Sequence, residues 1–377
     1  MLDVTMAQAD LEGLLKAVAS AVSTRPHLPV LASALLEAQE GGSELSCVGY
    51  DLSLGVRALA PACVASGGVV AVPHRMLAAL VTRMPDGEAV RLRLTDDDQL
   101  VVEAGGGRYG ITVAADAADY PSLPVVAADP VSAPYRPLRI ALATVAHAAS
   151  QVESKPELAG VHFALSGGEL RLEAIDGSGH RAVFVRVPDL LTDGAGDGEF
   201  TLPINAVREL QRLDLGDDDL LELGCDGGVA VFRAGRTTLI SNLVAGTWPP
   251  LASKLPSKYK VSLIVNREDM LAAVGRAQVV ADLTECVVAL DITPGSITVS
   301  SENDLARAAD RVALEDGSTD VVDRQLFRSK YLMDALKHTE GSLVSINYVK
   351  SGTLSIFEPV GSTLQRYLVM GLAPKPA

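Results

Sequence analysis

The sequence predicts an α+β protein made of three tandem copies of one two-helix, antiparallel-sheet domain. A short apolar strand that breaks into an amphipathic helix recurs at offsets of 130 and 125 residues, matched at Val72, Leu202 and Phe327. A second strand landmark recurs in the same order at offsets of 125 and 127 residues, ending at Asp51, Asp176 and Asn303. This period is far longer than a solenoid unit and suits copies of a whole domain.

Each copy begins with a predicted amphipathic helix. In the first copy, apolar residues recur at i, i+3, i+4, i+7 and i+11, and Asp10 precedes them as a predicted cap. These apolar residues are Leu11, Leu14, Leu15, Val18 and Val22. The counterparts are predicted around 142–152 and 268–280. A second helix follows in each copy, with predicted bounds of His74–Met84, Ile204–Leu213 and Ser329–His338.

Strands occupy the rest of each copy. Val90–Leu94 and Glu169–Glu173 alternate between apolar and charged residues, which is typical of half-buried strands. Short Gly-rich or Asp-rich turns separate such segments and favour antiparallel sheet over βαβ units. Proline-rich stretches at 121–137 and 249–256 separate the copies. The predicted domains are therefore 1–125, 126–253 and 254–377.

The composition limits the class of protein. With 48% hydrophobic residues the chain can build substantial cores, which excludes disorder as its main state. The four cysteines lie far apart, so a disulfide framework or a structural zinc site is not expected. No apolar run approaches the roughly 20 residues that cross a bilayer. Since the N-terminus also lacks the features of a signal peptide, we expect a cytoplasmic protein without membrane contact.

Two motifs suggest catalysis or cofactor binding at first sight. Gly105–Gly110 matches G-x-G-x-x-G, but it lies between two strand-like segments and predicts a hairpin instead of a dinucleotide site. Asp176, Ser178 and His180 suggest a hydrolase, although neighbours in sequence rarely form a triad and the serine lacks the G-x-S-x-G context. The histidines show no metal-ligand spacing and no ATP-binding loop is present. We expect no enzyme, metal or cofactor.

Basic residues recur on the predicted helices away from their apolar faces. They are Lys16, Arg75, Arg83, Arg208, Arg212, Arg267, Arg276, Lys330 and Lys337. Arg208 and Arg212 share a helix face because they are four residues apart. A net charge of −15 argues against holding nucleic acid by bulk electrostatics. The two open interpretations are ordinary solvated helix faces and a locally basic nucleic-acid surface that repeats in all three copies.

Local motifs add a family resemblance that covers essentially the whole chain. They are Arg25–Leu31 with Tyr50–Leu52, Val72–Arg75, Asp119–Leu123, Ala174–Gly177 followed by His180 and Arg181, Gly246–Pro249, and Tyr367–Met370. Together with the triple repeat, these motifs make the chain resemble the bacterial sliding clamp, the beta subunit of DNA polymerase III.

The resemblance implies a non-catalytic processivity factor of DNA replication. In this family two subunits form a head-to-tail homodimeric ring, in which twelve helices line a hole around duplex DNA and the sheets form the outer wall. The DNA polymerase III catalytic subunit and the clamp loader would bind through short peptide motifs. Such a ring holds double-stranded DNA by topology, independently of sequence. An acidic outer wall is then compatible with DNA binding.

The resemblance also implies two sets of site residues. The residues that match a peptide pocket between the second and third domains are Leu158, Ile175, Gly177, His180, Arg181, Pro249, Tyr331, Leu368 and Met370. For DNA, Arg25 and Arg75 match basic positions of the family, and Arg208 and Arg212 on the predicted second helix of the second copy are further candidates.

The chain departs from the family pattern where partners or DNA would bind. It carries an extra Gly-Ser-Gly-like element before His180, Ala182 in place of a leucine, and Lys254 at an apolar pocket position. Ile204 and Asn205 replace a basic pair, and the C-terminus is longer and differs in sequence. The alternative hypothesis is therefore a diverged clamp paralogue, a peptide-binding or inhibitor-evading scaffold with little role in bulk replication.

Overall fold

The computed structural model describes residues 1–113, 115–126, 130–152, 154–191, 197–251, 255–256, 258–282, 286–317 and 321–373. Those ranges contain six α-helices and 25 strands. The helices are α1 Gln8–Val18, α2 His74–Val81, α3 Tyr135–Ala146, α4 Ile204–Leu210, α5 Arg267–Val280 and α6 Ser329–His338.

The strands follow the chain in three groups. The first group is β1 Asp3–Ala7, β2 Ser33–Ala38, β3 Glu44–Tyr50, β4 Leu54–Pro61, β5 Cys63–Ser66, β6 Gly68–Pro73, β7 Ala89–Leu94, β8 Gln99–Ala104 and β9 Gly107–Thr112. The second is β10 Val131–Pro134, β11 Gly160–Ser166, β12 Glu169–Ile175, β13 Arg181–Val187, β14 Gly198–Pro203, β15 Leu220–Asp226, β16 Val229–Ala234 and β17 Thr237–Asn242. The third is β18 Val261–Asn266, β19 Val287–Thr293, β20 Ser296–Glu302, β21 Arg307–Gly317, β22 Asp323–Arg328, β23 Leu343–Tyr348, β24 Leu354–Pro359 and β25 Gln365–Met370.

The same order of elements occurs three times along the chain. Each group is a strand, a helix, a run of strands, a second helix and three closing strands. The first group has one extra strand because β4 and β5 together correspond to the single long strand β21. The second helices begin two residues after each of the matched positions Val72, Leu202 and Phe327. The predicted fold class, three α+β copies with antiparallel pairing, is confirmed.

Contacts group the chain into two compact units. Unit 1 consists of Met1–Arg136 and Asn205–Leu243. It contains a five-stranded sheet in the order β5-β1-β7-β8-β9 and an eight-stranded sheet in the order β10-β15-β16-β17-β4-β3-β2-β6. Helix α1 packs on the core of this unit through buried Leu11, Leu14 and Leu15. The pairing of β17 with β4 joins the end of the second copy to the first copy.

Unit 2 consists of Pro137–Ile204 and Val244–Ala377. Its sheet has twelve strands in the order β14-β11-β12-β13-β25-β24-β23-β18-β21-β20-β19-β22. The pairing of β13 with β25 joins the second copy to the third. Because the strands pair across copies, both units contain parts of the second copy, and the domain limits 1–125, 126–253 and 254–377 stay a prediction.

One side-chain contact recurs in all three copies although the residue types differ. The first residue of the first helix donates a hydrogen bond to a backbone carbonyl at the end of the second helix. Gln8 Nε2 donates to Val81 O at 3.0 Å, Tyr135 Oη to Leu210 O at 2.7 Å, and Arg267 Nη1 to Leu336 O at 3.3 Å. Carbonyls at a helix C-terminus lack intrahelical partners, so this contact satisfies them and fastens the two helices together.

Two sequence expectations about the first helices were wrong. The helix expected around 142–152 begins at Tyr135 and ends at Ala146. Pro137 lies in its first turn, where the missing N–H costs no hydrogen bond. Asp10 does not cap α1, because β1 runs directly into the helix and Ala7 occupies the cap position. Asp10 lies instead in the first turn, where a carboxylate interacts favourably with the helix dipole. None of the described helices is long and apolar enough to span a membrane.

Candidate functional site

A row of apolar side chains crosses four strands of unit 2. Ile175 pairs with Ala182, Ala182 with Leu368, and Leu368 with Ile356. Because directly paired residues share one sheet face, these four side chains lie next to each other. Together with Leu158, Phe184 and Leu251 they form one buried group, here called the apolar cluster. The sequence-predicted pocket residues Leu158, Ile175 and Leu368 are therefore brought together.

Aromatic and aliphatic side chains that are only partly buried pack against the apolar cluster. They are Trp248, Leu255, Tyr259 and Leu354. The indole of Trp248 donates from Nε1 to Glu173 Oε2 at 2.7 Å and stacks on His162 with ring centroids 4.9 Å apart. Burial raises the pKa of Glu173, against the opposing effects of Trp248 and of Arg171 at 2.6 Å. A buried polar group thus orients the indole beside the cluster.

Gly177, Pro249 and Met370 border this region. A Cβ atom on Gly177 would lie 2.5 Å from Ser150 Oγ, so the site accepts only glycine without a shift of the neighbouring loop. Met370, half-buried, ends β25 and donates its N–H to His180 O at 2.9 Å. Pro249 is half-buried and follows Trp248. All three are near the apolar cluster along the chain or across the sheet.

Asp176 organises the loop that carries the extra Gly-Ser-Gly-like element. Its Oδ1 accepts from the N–H groups of His180 at 2.9 Å and Arg181 at 3.1 Å, while Oδ2 accepts from Ser178 Oγ at 2.5 Å. Gly179 has a φ of +73°, a conformation that favours glycine. The inserted residues therefore form a tight, internally hydrogen-bonded loop at the edge of the site.

Asp176, Ser178 and His180 do converge, but in an order that does not serve hydrolysis. Ser178 Oγ lies between the Asp176 carboxylate and His180 Nδ1, the second distance being 2.9 Å. In a catalytic triad the histidine lies between the serine and the acid, so that it can take the serine proton. The arrangement is a loop structure, and it gives the hydrolase hypothesis no support.

Tyr331 connects the loop to α6. The rings of His180 and Tyr331 stack with centroids 6.2 Å apart, and Ser178 Oγ lies 3.4 Å from Tyr331 Oη. The guanidinium of Arg181 also lies over the Tyr331 ring, with its Cζ 5.3 Å from the ring centroid. The tyrosine is half-buried and contacts both His180 and Arg181. It forms an aromatic edge to the candidate site.

Arg181 lies on the sheet face opposite to Ala182, since adjacent residues of a strand alternate. It is 7% exposed, forms an ion pair with Asp334 of α6, and donates from Nη2 to His147 O at 2.8 Å. Its guanidinium is thus committed to internal contacts. The Arg181 guanidinium also contacts the Tyr331 ring, and its place in the lining of a peptide site stays a prediction.

Two imidazoles next to Arg181 form a stack that the sequence did not indicate. The rings of His147 and His338 lie 3.9 Å apart with 10° between their planes, and Tyr367 stacks on both. Burial, reinforced by the charges of His338 and Arg181, lowers the pKa of His147 to about 3. The two residues are 191 positions apart (338 minus 147), and only three-dimensional packing shows their relation.

The predicted DNA-binding residues all lie in unit 1 and all are exposed. Arg75 is in the first turn of α2, Arg208 in α4 and Arg212 just after it. Arg212 pairs with Glu209 at 2.8 Å. Within the described ranges, no ion pair holds Arg25, Arg75 or Arg208. These three cations are available to an anionic partner.

Sequence reasoning missed two further cations on a helix face. Arg136 and Arg139 of α3 are exposed and lie three residues apart, so they share a face. They were missed because the helix was expected to begin downstream of Pro137. Arg136 is 3.3 Å from Asp217.

Lys254 and residues 374–377, where the sequence departs from the family pattern, lie outside the described residues. Up to Ala373 the terminus is held by Leu372, which donates its N–H to Leu326 O at 2.7 Å.

No group of three or more potential metal ligands occurs among the residues that the structure describes. The arrangement in unit 2 is a buried apolar cluster with partly buried aromatic and aliphatic side chains packed against it and few polar groups beside it. Apolar sites with a few polar groups are typical of peptide anchoring.

Comparison with protein families agrees with these features at both ends of the chain. The model for the N-terminal domain of the DNA polymerase III beta subunit matches residues 2–124. The model for the C-terminal domain of the same subunit matches residues 252–372. The matched residues cover more than half of the chain.

Relatives extend the likeness over the whole length. A beta sliding clamp of Synechocystis sp. is 30% identical over 388 aligned residues, which cover 96% of this chain and 97% of the relative. One from Synechococcus elongatus is 29% identical with the same coverage of both chains. A crystal structure of the DNA polymerase sliding clamp from Bacillus subtilis superposes with a TM-score of 0.93 at 21% identity, covering 99% of each chain. No comparison specifically supports the diverged-paralogue alternative.

Proposed function

The chain belongs to the bacterial sliding clamp family, the beta subunits of DNA polymerase III, and we propose that two copies close head to tail into a ring that encircles duplex DNA. This family consists of non-catalytic processivity factors. The ring would tether the replicative polymerase to bacterial DNA in the cytoplasm. The observation that supports the proposal is a regularity in strand pairing: the last strand of one copy pairs with a fixed strand of the preceding copy. In the described chain this regularity leaves two strand edges, one on the first copy and one on the third, without a partner strand.

This regularity concerns the last strand of each copy. In the second copy this strand, β17, pairs with β4 of the first copy, and in the third copy β25 pairs with β13 of the second. Both β4 and β13 are the third strand after the first helix of their copy. Applied once more, the regularity pairs β9, the last strand of the first copy, with β21 of the third copy of another chain.

Both edges are open among the described residues. β9 pairs only with β8, and residues 307–312 of β21 pair only with β20. An unpaired strand edge invites pairing with another chain, and ring closure removes it. Because the two edges differ, the contact is heterologous, and two such contacts close a dimer.

The internal junctions also predict the register of this contact. Val56 pairs with Leu239, and Val183 pairs with Tyr367. The corresponding residues at the open edges are Ala308 in β21 and Tyr109 in β9. Leu239 and Tyr367 are fully buried, whereas Tyr109 is 43% exposed. Pairing with a partner subunit would cover it.

A ring needs only weak contacts with DNA. Arg25, Arg75, Arg208 and Arg212 supply exposed positive charge on a chain whose net charge is −15. Phosphate contacts of this kind carry no sequence information and weaken as salt rises. Since escape requires ring opening, modest affinity is sufficient and permits sliding.

The apolar cluster with its aromatic edge is the proposed docking site for partners. A short linear peptide from the DNA polymerase III catalytic subunit or the clamp loader would insert apolar side chains near Leu158, Ile175 and Leu368. Tyr331 and His180 would border the peptide. The inserted loop lies beside Tyr331 at the edge of this site and contributes no residue to the apolar cluster.

The decisive experiment is loading onto circular DNA. The purified chain, a bacterial clamp loader and ATP are incubated with nicked circular DNA, and retained protein is separated by gel filtration. We expect retention on the circle and loss after the DNA is linearised with a restriction enzyme. Equal retention on linear and circular DNA would show ordinary binding and contradict encirclement. Absence of retention on both would contradict the proposed function.

A further inference from the structure

Unit 1 contains a groove where the first and second copies meet. It has a volume of about 580 Å³ and lies between the end of α1 and the segment after α4, above strands β4 and β17. Its floor is apolar and includes Ala17, Val56, Leu213 and Leu239. This volume falls within the ~300–1,000 Å³ that is usual for small-ligand sites. We call it the α1–α4 groove.

The triple repeat identifies the equivalent place in unit 2. The first helices begin at Gln8 and Tyr135, so Ser20 of the groove corresponds to His147. The second helices begin at Ile204 and Ser329, so Leu213 corresponds to His338. Strand pairing makes Leu239 the counterpart of Tyr367.

Those three counterparts are the ring stack of unit 2. His147 and His338 stack at 3.9 Å, and the Tyr367 ring lies 5.8 Å and 6.4 Å from them. In unit 2 the space is thus filled by parallel rings from the chain itself. In the groove, a serine and two leucines leave that space open.

We propose that the α1–α4 groove binds a planar aromatic ring, and that the ring is an unpaired base of a single strand that adjoins the encircled duplex. Apolar contact with the flat face of a base is insensitive to sequence, because every base has such a π face. The identity of the ring as a nucleobase rests on the proposed function. That a planar ring fits the groove is inferred from the rings that occupy the equivalent place in unit 2.

The polar groups at the groove suit a nucleotide. Lys16 and Arg212 line it and are 72% and 70% exposed, each paired with a glutamate at 2.8 Å. These cations can reach a backbone phosphate beside the bound base. The carboxylates of Glu209 and Asp214 also line the groove and can accept hydrogen bonds from exocyclic amino groups. Arg208, one turn before Arg212, extends the positive surface.

The test uses a short single strand that contains 2-aminopurine, whose fluorescence is quenched by stacking on neighbouring bases and rises when the base enters a site without aromatic rings. The chain carrying Ser20→His and Leu213→His has the groove filled with the imidazoles of the equivalent site. We expect a rise in fluorescence with the unsubstituted chain and at least a tenfold weaker affinity with the filled variant. Leu239→Tyr, which introduces the third ring, is a second filled variant in case the double substitution lowers the folded yield.

Thr238→Tyr is the matched control. Thr238 is the neighbour of Leu239 in β17 and lies in a different depression with Ser46 and Arg57. The control should bind the probe like the unsubstituted chain. Adenosine should compete with the probe, because it carries the ring without a phosphate. Equal affinity of filled and unfilled chains would overturn the proposal, and so would competition by a tryptophan-containing peptide but not by adenosine.

Loading onto nicked circular DNA separates this inference from the proposed function. The filled variants should still be retained on the circle, because encirclement depends on ring closure and not on the groove. If the unsubstituted chain is retained but the probe is not bound, the groove proposal fails and the clamp proposal stands. If neither occurs, the proposed function fails.

Discussion

Tyr109 and Tyr367 occupy the same position in the last strands of the first and third copies, yet Tyr367 is fully buried and Tyr109 is 43% exposed. Tyr367 is covered because β25 pairs with β13, and Val183 lies directly opposite. Within the described chain β9 has no strand on its outer side. We therefore expect a strand of a partner subunit to pair with β9 and to bury Tyr109 as β13 buries Tyr367.

Tyr109→Asp should weaken the dimer. A carboxylate at this position would be desolvated by the partner strand, and an aromatic anchor at the centre of an interface typically contributes about 2 kcal/mol or more. Both joints of the proposed ring would be affected, since each would contain one Tyr109. Sedimentation velocity at several concentrations should show a shift towards monomer. Val69→Asp is the control, because Val69 is equally exposed but lies on β6. A dimer that resists Tyr109→Asp would contradict the proposed joint.

The register of the joint can be tested by cross-linking. Tyr109→Cys together with Ala308→Cys places two thiols directly opposite in the proposed antiparallel pair, where Cβ atoms are about 4.5–5.5 Å apart. Mild oxidation should give a covalent dimer on a non-reducing gel. Tyr109→Cys with Asp310→Cys shifts the second thiol by two residues, to about 7–8 Å, and should cross-link poorly. Stronger cross-linking of the shifted pair would contradict the register.

Stability should fall as the pH falls below 6.5. The pKa of His147 drops from 6.5 to about 3 in the folded chain. Between these values the unfolded state binds the extra proton, so acid favours unfolding. Lowering the pH from 7.5 to 5 should cost about 1–2 kcal/mol at this residue. Burial lowers the pKa of His162 as well, which adds to the trend.

Urea titration at the two pH values measures this effect. His147→Phe keeps a ring in the stack with His338 but cannot be protonated, so the difference between the two pH values should shrink. His27→Phe changes an exposed histidine and should leave the difference as it was. An unchanged pH dependence in His147→Phe would show that the stack does not resist protonation.

Much of the fold could be predicted from the sequence because the repeat supplies three views of one pattern. The alternation of Val90–Leu94 and the glycines at 105–106 predict β7 and the hairpin between β8 and β9 correctly. The helix–strand landmark at Val72, Leu202 and Phe327 predicts where three helices begin. Local signals fail where local chemistry is ambiguous, as at Pro137, which is compatible with both a linker and a first helical turn.

The candidate site was predictable in part. Family motifs identify Leu158, Ile175 and Leu368, which the sheet register places together. No local pattern could show that Arg181 points to the other face of β13, or that His147 meets His338, because these relations arise from pairing between distant segments. The structure shows both relations. It also shows that Ser20 and Leu213 of unit 1 occupy the positions that correspond to His147 and His338 of unit 2.

Asp334→Ala should weaken both folding and peptide binding. Arg181 is 7% exposed and Asp334 is its ion-pair partner, so the substitution leaves a buried guanidinium without a counter-charge. Breaking a fully buried pair costs about 3–5 kcal/mol, and because Asp334 is 21% exposed we expect about 2–3 kcal/mol. Arg181 also supports the Tyr331 ring, so a labelled peptide from the replicative polymerase should bind more weakly. Asp291→Ala removes the partner of Arg324, which is 62% exposed, and should cost less than about 1 kcal/mol with unchanged peptide affinity. Urea titration and fluorescence anisotropy measure the two effects. Equal losses in both variants would show that the Arg181 pair is an ordinary surface contact.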